Sequence, residues 1–517
     1  MTRSARRPAS SGAGPADRAL LRVARGGALN IAAAVVNHGC SLAILFVLAR
    51  ATSASGVGRY AQAYAALALL GLVAVAGFRP ALTRFVAIAG VDQDAAARRG
   101  AARLGIGIAT SIAIVLGGLL AIFAGPIARV VFGEAALTVP LRIVAATLPC
   151  FVFWQAAASV LQGAQRHRGF ALVEFVLEPS LRFGLTLIAL ASGAGIRGAL
   201  VGLLAANAIT AIVAARLVQR LIGRGAAPLP VRAMVSFASS MWLANAATSG
   251  LIWADTLLIG ILRDSADVGV YQVATRVVML AAFVMAPLNS AVAPRAAALQ
   301  RLDDRAGLQH LYRAATGWMM RLALPAFVTL FVFAPEVLQL FGGRYAEAAW
   351  VTRVLALGKL VDVATGPCGV LLQMTGHALL NVANNLAALC VNIGLNLWWI
   401  PDHGLQGAAL AWAVALVGVN TARVLQVRRI VGTLPFDATL LKALLASGAH
   451  AIFAVNVAYA LDGAAALVVG TIGGAFLYVA ASWASGIGPG EIAALRGLAP
   501  RRSGPRAAAL SSGAGTR

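Results

Sequence analysis

The chain has 517 residues, 60% of them hydrophobic and 12% charged, with a mean hydropathy of +0.83. That composition excludes a water-soluble globular protein and places the chain in a membrane. The formal charge of +24 invites a nucleic-acid reading, but the placement of the basic residues argues for topology instead and against nucleic-acid binding.

Residues 1–25 read as a basic, disordered N-terminal tail. The apolar run that follows is too long for a signal-peptide core and has no convincing cleavage site, so it reads as an uncleaved first helix. Stretches of about 20 apolar residues, each enough to cross a hydrocarbon core, then recur along the chain. Fourteen are expected: 26–49, 60–78, 104–124, 139–161, 170–192, 198–219, 234–261, 268–292, 315–334, 349–374, 378–400, 405–427, 440–461 and 464–485. With the N-terminus inside, 30 of the 42 Lys and Arg fall on inner segments and six on outer loops. The alternation supports that span order and puts both termini in the cytoplasm. The basic excess also serves to hold anionic lipid headgroups.

Landmarks recur at offsets of 209 to 211. Val57-Gly58-Arg59-Tyr60 answers to Val268-Gly269-Val270-Tyr271, Phe132-Gly133 to Phe341-Gly342, Leu161-Gln162 to Leu372-Gln373, and Gly195–Ala199 to Gly404–Ala408. Four matches at nearly constant offset indicate an internal duplication, which in a membrane protein usually marks a transporter. The fold expected is all-α and integral to the membrane, with about 14 helices. Two parallel six-helix repeats form an N-lobe (26–221) and a C-lobe (231–430), followed by two extra helices (440–485) and a cytoplasmic tail (486–517).

Charges inside a span are costly and call for a partner or a watery cavity. The stretch 170–192 carries Glu174, Glu178 and Arg182 at i, i+4 and i+8, on one helix face. Asp255, Arg276, Lys359 and Asp362 lie in later spans. Amides recur at helical spacing too: Asn381, Asn385, Asn392 and Asn396 in one span, Asn30, Asn37 and Ser41 in another, and Asn245 and Thr248 ahead of Asp255. Two readings stand for these groups, internal pairing that ties helices together and a central polar cavity. Trp253, Trp398 and Trp399 read as interface anchors. His38, His377 and Gln62 are polar residues with no partner visible in sequence.

The four cysteines fall in apolar spans, without metal-ligand spacing, and read as packing residues. No cofactor, metal site or catalytic motif is expected. Without a P-loop, energy must come from an ion gradient, the membrane potential or the substrate's own gradient.

The run LARATSASGVGRYAQAYAALALL followed by GFRPALTRFVA resembles the opening of bacterial polysaccharide flippases of the multidrug/oligosaccharidyl-lipid/polysaccharide superfamily. The resemblance continues through LLIGILRDSADVGVYQVATRV, VAPRAAAL, LQLFGGRYAEAAW, LLQMTGHALLNVANN and NLWWIPDHGLQGAALAWAVA, over roughly residues 26–430. It implies a V-shaped pair of lobes that carries a polyprenyl-diphosphate-linked oligosaccharide between leaflets of the bacterial inner membrane by alternating access. Membrane lipids, a polysaccharide polymerase and glycosyltransferases of the same pathway, such as that for lipopolysaccharide, are the implied partners. The cationic cavities of such relatives suggest Arg182, Arg276 and Lys359 for the diphosphate. Two extra helices also occur in the lipid II flippases of the superfamily. A cation-coupled drug exporter and a lipid II flippase are the alternatives.

Overall fold

The computed structural model describes residues 15–484 except 76, 226, 228, 229 and 437, with side chains from residue 33 onward apart from 240, 243–249, 251, 438 and 439. Most of both expected tails, and the side chains of Asn30, Asn245 and Thr248, lie outside the described residues. All regular structure among the described residues is helical. In the first half run α1 (Pro15–Ala51), α2 (Ala54–Val75), α3 (Phe78–Val91), α4 (Ala95–Pro126), α5 (Thr138–Gly163), α6 (His167–Ala171), α7 (Glu178–Ala191) and α8 (Gly195–Ile222). The second half has α9 (Val231–Leu262), α10 (Ser265–Ala281), α11 (Met285–Arg301), α12 (Arg305–Val332), α13 (Ala334–Gln339), α14 (Ala349–Ala364), α15 (Cys368–Met374) and α16 (Ala378–Val431). Two more helices, α17 (Ala438–Ala460) and α18 (Gly463–Ala484), follow.

Nine helices among the described residues are long and apolar enough to span a membrane singly, or eleven if the bent pairs α10–α11 (49°) and α14–α15 (41°) each count as one. The difference from the fourteen stretches expected has physical causes. The 54-residue α16 contains two of them, divided where Gly404 adopts φ 54°. A third, 170–192, is broken by a π-helical turn at Leu172–Leu177 and carries three charges. A fourth, 234–261, lies in α9, where part of the side chains is not described.

Backbone geometry repeats along the chain with the sequence landmarks. Residues with positive φ occur as pairs: Gln93 with Asp303, Gly133 with Gly342, Gln165 with Gly376, Gly195 with Gly404, and Gly223 with Gly432. The offsets are again 209 to 211. Immediately after the first pair, Asp94 caps α4 by accepting from the Ala96 and Ala97 amides, and Asp304 caps α12 by accepting from Gly307. The side-chain oxygens satisfy amides that the first helical turn leaves without partners.

Large apolar side chains such as Ile122, Phe123, Val130, Ile472 and Phe476 are exposed, whereas alanines such as Ala109, Ala113, Ala156 and Ala157 are fully buried between helices. This distribution suits lipid, which gives no hydrophobic reward for burying a leucine between helices and leaves close van der Waals packing to hold them. Both α17 and α18 pack on α12, where Tyr478 donates to the Arg321 carbonyl at 2.9 Å. The four cysteines are free thiols.

Candidate functional site

A cavity of about 370 Å³ lies between the two halves, walled by α1, α2, α5, α7 and the π-helical turn on one side and by α9 and α10 on the other. Five expected residues line it: Asn37, Glu174, Glu178, Arg182 and Arg276. The π-helical turn delivers two of them. Glu174 sits within it and accepts from Arg79 at 2.6 Å, while Glu178, just beyond, pairs with Arg182 at 3.3 Å. The three charges of this segment thus serve two separate ion pairs, and the second is almost fully buried. Arg79 also donates to Gln155 Oε1 at 3.0 Å.

Aromatic rings connect the arginines across the cavity. The Arg182 guanidinium lies 5.0 Å from the Tyr64 ring centre, Tyr64 lies 5.5 Å from Trp253, and Arg276 lies 5.4 Å from Trp253. Cation, two rings and cation therefore bridge the halves, with Arg182 and Tyr64 from the first and Trp253 and Arg276 from the second. Arg276 has no carboxylate partner among the described residues. Three arginines face two glutamates in the wall, so the cavity carries a formal excess of one positive charge, and Arg276 supplies it.

The remaining expected residues sit in the second half, away from this wall. Lys359 pairs with Asp362 at 2.6 Å, and Asn420 donates to Asp362 at 2.8 Å. Arg423 reaches Asn381 at 3.1 Å, Asn420 at 3.2 Å and, closer still, Asn385. Asp255 accepts from Tyr271 at 3.0 Å and Asn396 at 2.7 Å. Its carboxylate is buried with no cation beside it among the described residues, and the fully buried Asn392 amide lies next to it.

Sequence reasoning missed several cavity residues. Arg79 lies just past the expected span 60–78, yet the first turn of α3 places it in the wall. Trp253, expected as an interface anchor, is a cavity residue, whereas Trp398 is exposed as an anchor should be. His38 donates from Nδ1 to the Ala34 carbonyl at 2.8 Å, and its ring packs edge-on to Phe283. Spacing gave no signal for Tyr64, Gln155 or Gln272.

The halves also meet at two further places. At one, α2 crosses α10 through Gly58 and Gly269, beside an ion pair of Arg59 and Glu134 at 3.1 Å. Here Ser265 donates to Gln62 at 2.8 Å and also contacts Glu134. At the other, Gly77 lies against the Ala238 backbone, Trp242 donates to the Val73 carbonyl at 3.2 Å, and Arg84 covers Phe237 at 4.6 Å.

The polysaccharide biosynthesis protein family matches residues 23–300, more than half the chain. The chain belongs to this family. A second family, MatE, matches residues 241–398. A probable low-salt glycan biosynthesis flippase, Agl15, of Haloferax volcanii is 26% identical over 33% of this chain and 36% of its own length. A putative O-antigen transporter of Shigella flexneri is 20% identical over 53% of this chain and 66% of its own length. The chain thus matches about a third to two thirds of the length of these curated relatives. Among solved structures, the lipid II flippase MurJ in an inward closed conformation superposes with a TM-score of 0.70 at 12% identity, covering 90% of this chain and 98% of that one. The fold is that of the multidrug and flippase transporters: a multi-pass, all-helical membrane protein.

Proposed function

We propose that this protein flips a polyprenyl-diphosphate-linked oligosaccharide across its membrane, by opening the central cavity first to one side and then to the other. The carrying observation is the cavity between the halves with an unpaired Arg276 stacked on Trp253. An anionic diphosphate headgroup cannot cross hydrocarbon unaided, while its prenyl tail can remain in lipid. A partly desolvated guanidinium is a strong partner for phosphate oxygens. Arg182 and Arg79 are compensated by Glu178 and Glu174, which reduces the cost of keeping three cations in the wall. Polar Asn37, Gln155 and Gln272 suit the saccharide. The chemistry is that of a carrier and not of a catalyst.

The charge alternation of the sequence supports cytoplasmic termini, and the resemblance to bacterial polysaccharide flippases supports a bacterial inner-membrane location. On that orientation the Gly58–Gly269 contact is the outer closure and the Gly77–Ala238 contact the inner one. Pathway glycosyltransferases on the inner side and a polymerase on the outer side are the partners this reading implies, and lipopolysaccharide is one destination. The matched half-structures support an N-lobe of 26–221 and a C-lobe of 231–430 that rock against each other. Asp255, buried beside Asn392 without a counter-charge among the described residues, supports coupling to a cation or proton in the second half.

The MatE match favours a second reading, export of a cationic drug, but the cationic excess of the cavity disfavours it. The two separate in one experiment: in vesicles carrying fluorescent lipid-linked oligosaccharide, an Arg182→Gln/Arg276→Gln double variant should lose flipping while remaining inserted. Wild-type flipping rates in that double variant, or transport of a cationic dye but no lipid by the wild type, would overturn the proposal.

A further inference from the structure

Away from the central cavity, the inner ends of α4 and α8 and the turn after α8 enclose a cleft of about 620 Å³. Four arginines line it: Arg103 from α4, Arg216 and Arg220 from α8, and Arg224 from the turn. All four are exposed, and no Asp or Glu lines the cleft. None of them has a carboxylate within ion-pair distance among the described residues. The acid at the start of α4, Asp94, is occupied by the Ala96 and Ala97 amides at 2.8 Å. Arg103 donates to the Gly225 carbonyl at 2.7 Å, which anchors the turn without neutralising the guanidinium.

A second cleft, of about 610 Å³, shares Arg103 and Gly107 with the first and continues along α4 past Leu104, Ile108 and Ile112. No atom lies within 4 Å of where a side chain on Gly107 would begin, so the floor between the clefts is open. Fixed cations thus lie at one end of a continuous surface and an apolar trough at the other. An ion alone would use only the first end, and a neutral lipid only the second.

We infer that this double cleft binds a phospholipid with an anionic headgroup, its phosphate on Arg103, Arg216 and Arg220 and one acyl chain over Gly107 and Ile108. Guanidinium groups pair with phosphate oxygens through two parallel N–H donors, and their position at helix ends matches the depth of a headgroup layer. Juxtamembrane arginines draw anionic lipids for the same electrostatic reason. A lipid held there ties α4 to α8 on the outside of the first half. The inference stands independently of what the central cavity carries.

The test uses the full-length protein in detergent and counts retained lipids by native mass spectrometry, with dioleoylphosphatidylglycerol and dioleoylphosphatidylcholine at equal concentration. The glycerol lipid should be retained and the choline lipid lost. Arg216→Gln/Arg220→Gln removes two charges whose side chains make no bond to the protein among the described residues, and should weaken retention roughly tenfold to thirtyfold. Gly107→Leu keeps every arginine, fills the trough, and should also weaken retention. Monodisperse elution of both variants separates lost binding from lost fold. Equal retention of the two lipids, or unchanged retention in the arginine variant, overturns the inference. So does displacement by inorganic pyrophosphate, which marks a site for free phosphate. Preferential displacement by a polyprenyl diphosphate would assign the cleft to the transported lipid instead.

Discussion

Gly58 and Gly269 meet where α2 crosses α10, and each would collide with the other half if it carried a side chain: Gly58 with the Ser265 carbonyl, Gly269 with the Ala54 carbonyl. Both pairs, Gly58 with Gly269 and Ala54 with Ser265, are separated by the same 211 positions. The contact therefore reads alike from either side, as it must at a two-fold axis between equivalent surfaces. A Cβ on Gly58 would also stand 3.0 Å from the Gly269 amide nitrogen, so the helices touch backbone to backbone.

Replacing either glycine should hold this end of the cavity open. Gly58→Val forces α2 and α10 apart, at an overpacking cost of about 1–3 kcal/mol in the closed state. In a background without the native cysteines, Val57→Cys should then react with an impermeant maleimide, while the same cysteine beside Gly58 stays protected. Equal protection in both would show that the contact does not gate the cavity.

The Glu178–Arg182 pair is nearly fully buried, so breaking it from one side should cost more than removing it whole. Glu178→Gln alone should destabilise the protein by about 3 kcal/mol, and Glu178→Gln/Arg182→Met by clearly less. Thermal unfolding in detergent, read as a double-mutant cycle, checks the coupling.

Arg276 and Trp253 should matter for binding and little for folding. Arg276→Ala should weaken binding of a prenyl diphosphate by about tenfold to a hundredfold, as expected for one charge-assisted contact. Lys359→Ala, remote from the cavity wall, should leave binding unchanged and reduce stability by exposing Asp362. Isothermal titration with each variant distinguishes the two roles.

Asp255→Asn should leave the shape of its pocket intact, since the amide oxygen still accepts from Tyr271 or Asn396. Flipping driven by an imposed cation or proton gradient should fall to the rate without a gradient, while exchange at equilibrium persists. Undiminished gradient dependence in vesicles would remove Asp255 from coupling.

Much of the architecture was legible in the chain because lipid imposes simple rules. Apolar length marked helices, and arginine placement suggested sides. Constant offsets marked the duplication, and the same offsets reappear in the left-handed turns at Gln93 and Asp303 and in the caps at Asp94 and Asp304. The polar face of 170–192 was also readable, since three charges in one apolar stretch need a polar surrounding. The one-turn spacing also allowed the Glu178–Arg182 pair that forms, but the partner of Glu174 was not readable. Helical spacing placed Glu174, Glu178 and Arg182 together, whereas the π-helical turn gives Glu174 to Arg79 from a different helix.

Hydropathy, charge cost and repeat offset are properties of local segments, so a helical membrane protein with a sequence repeat and a few intramembrane charges could be read from the chain. Which charges share a cavity was decided only in three dimensions. Lys359 and Asp362 satisfy each other inside the second half, Asp255 closes on Tyr271 and Asn396, and of the two expected cations in the cavity wall Arg182 pairs with Glu178 while Arg276 faces it on an indole ring with no carboxylate partner among the described residues. Those outcomes depend on the packing of helices far apart in the chain, and so does the meeting of Gly58 with Gly269. Spacing along one helix carries no information about which distant helix will cross it.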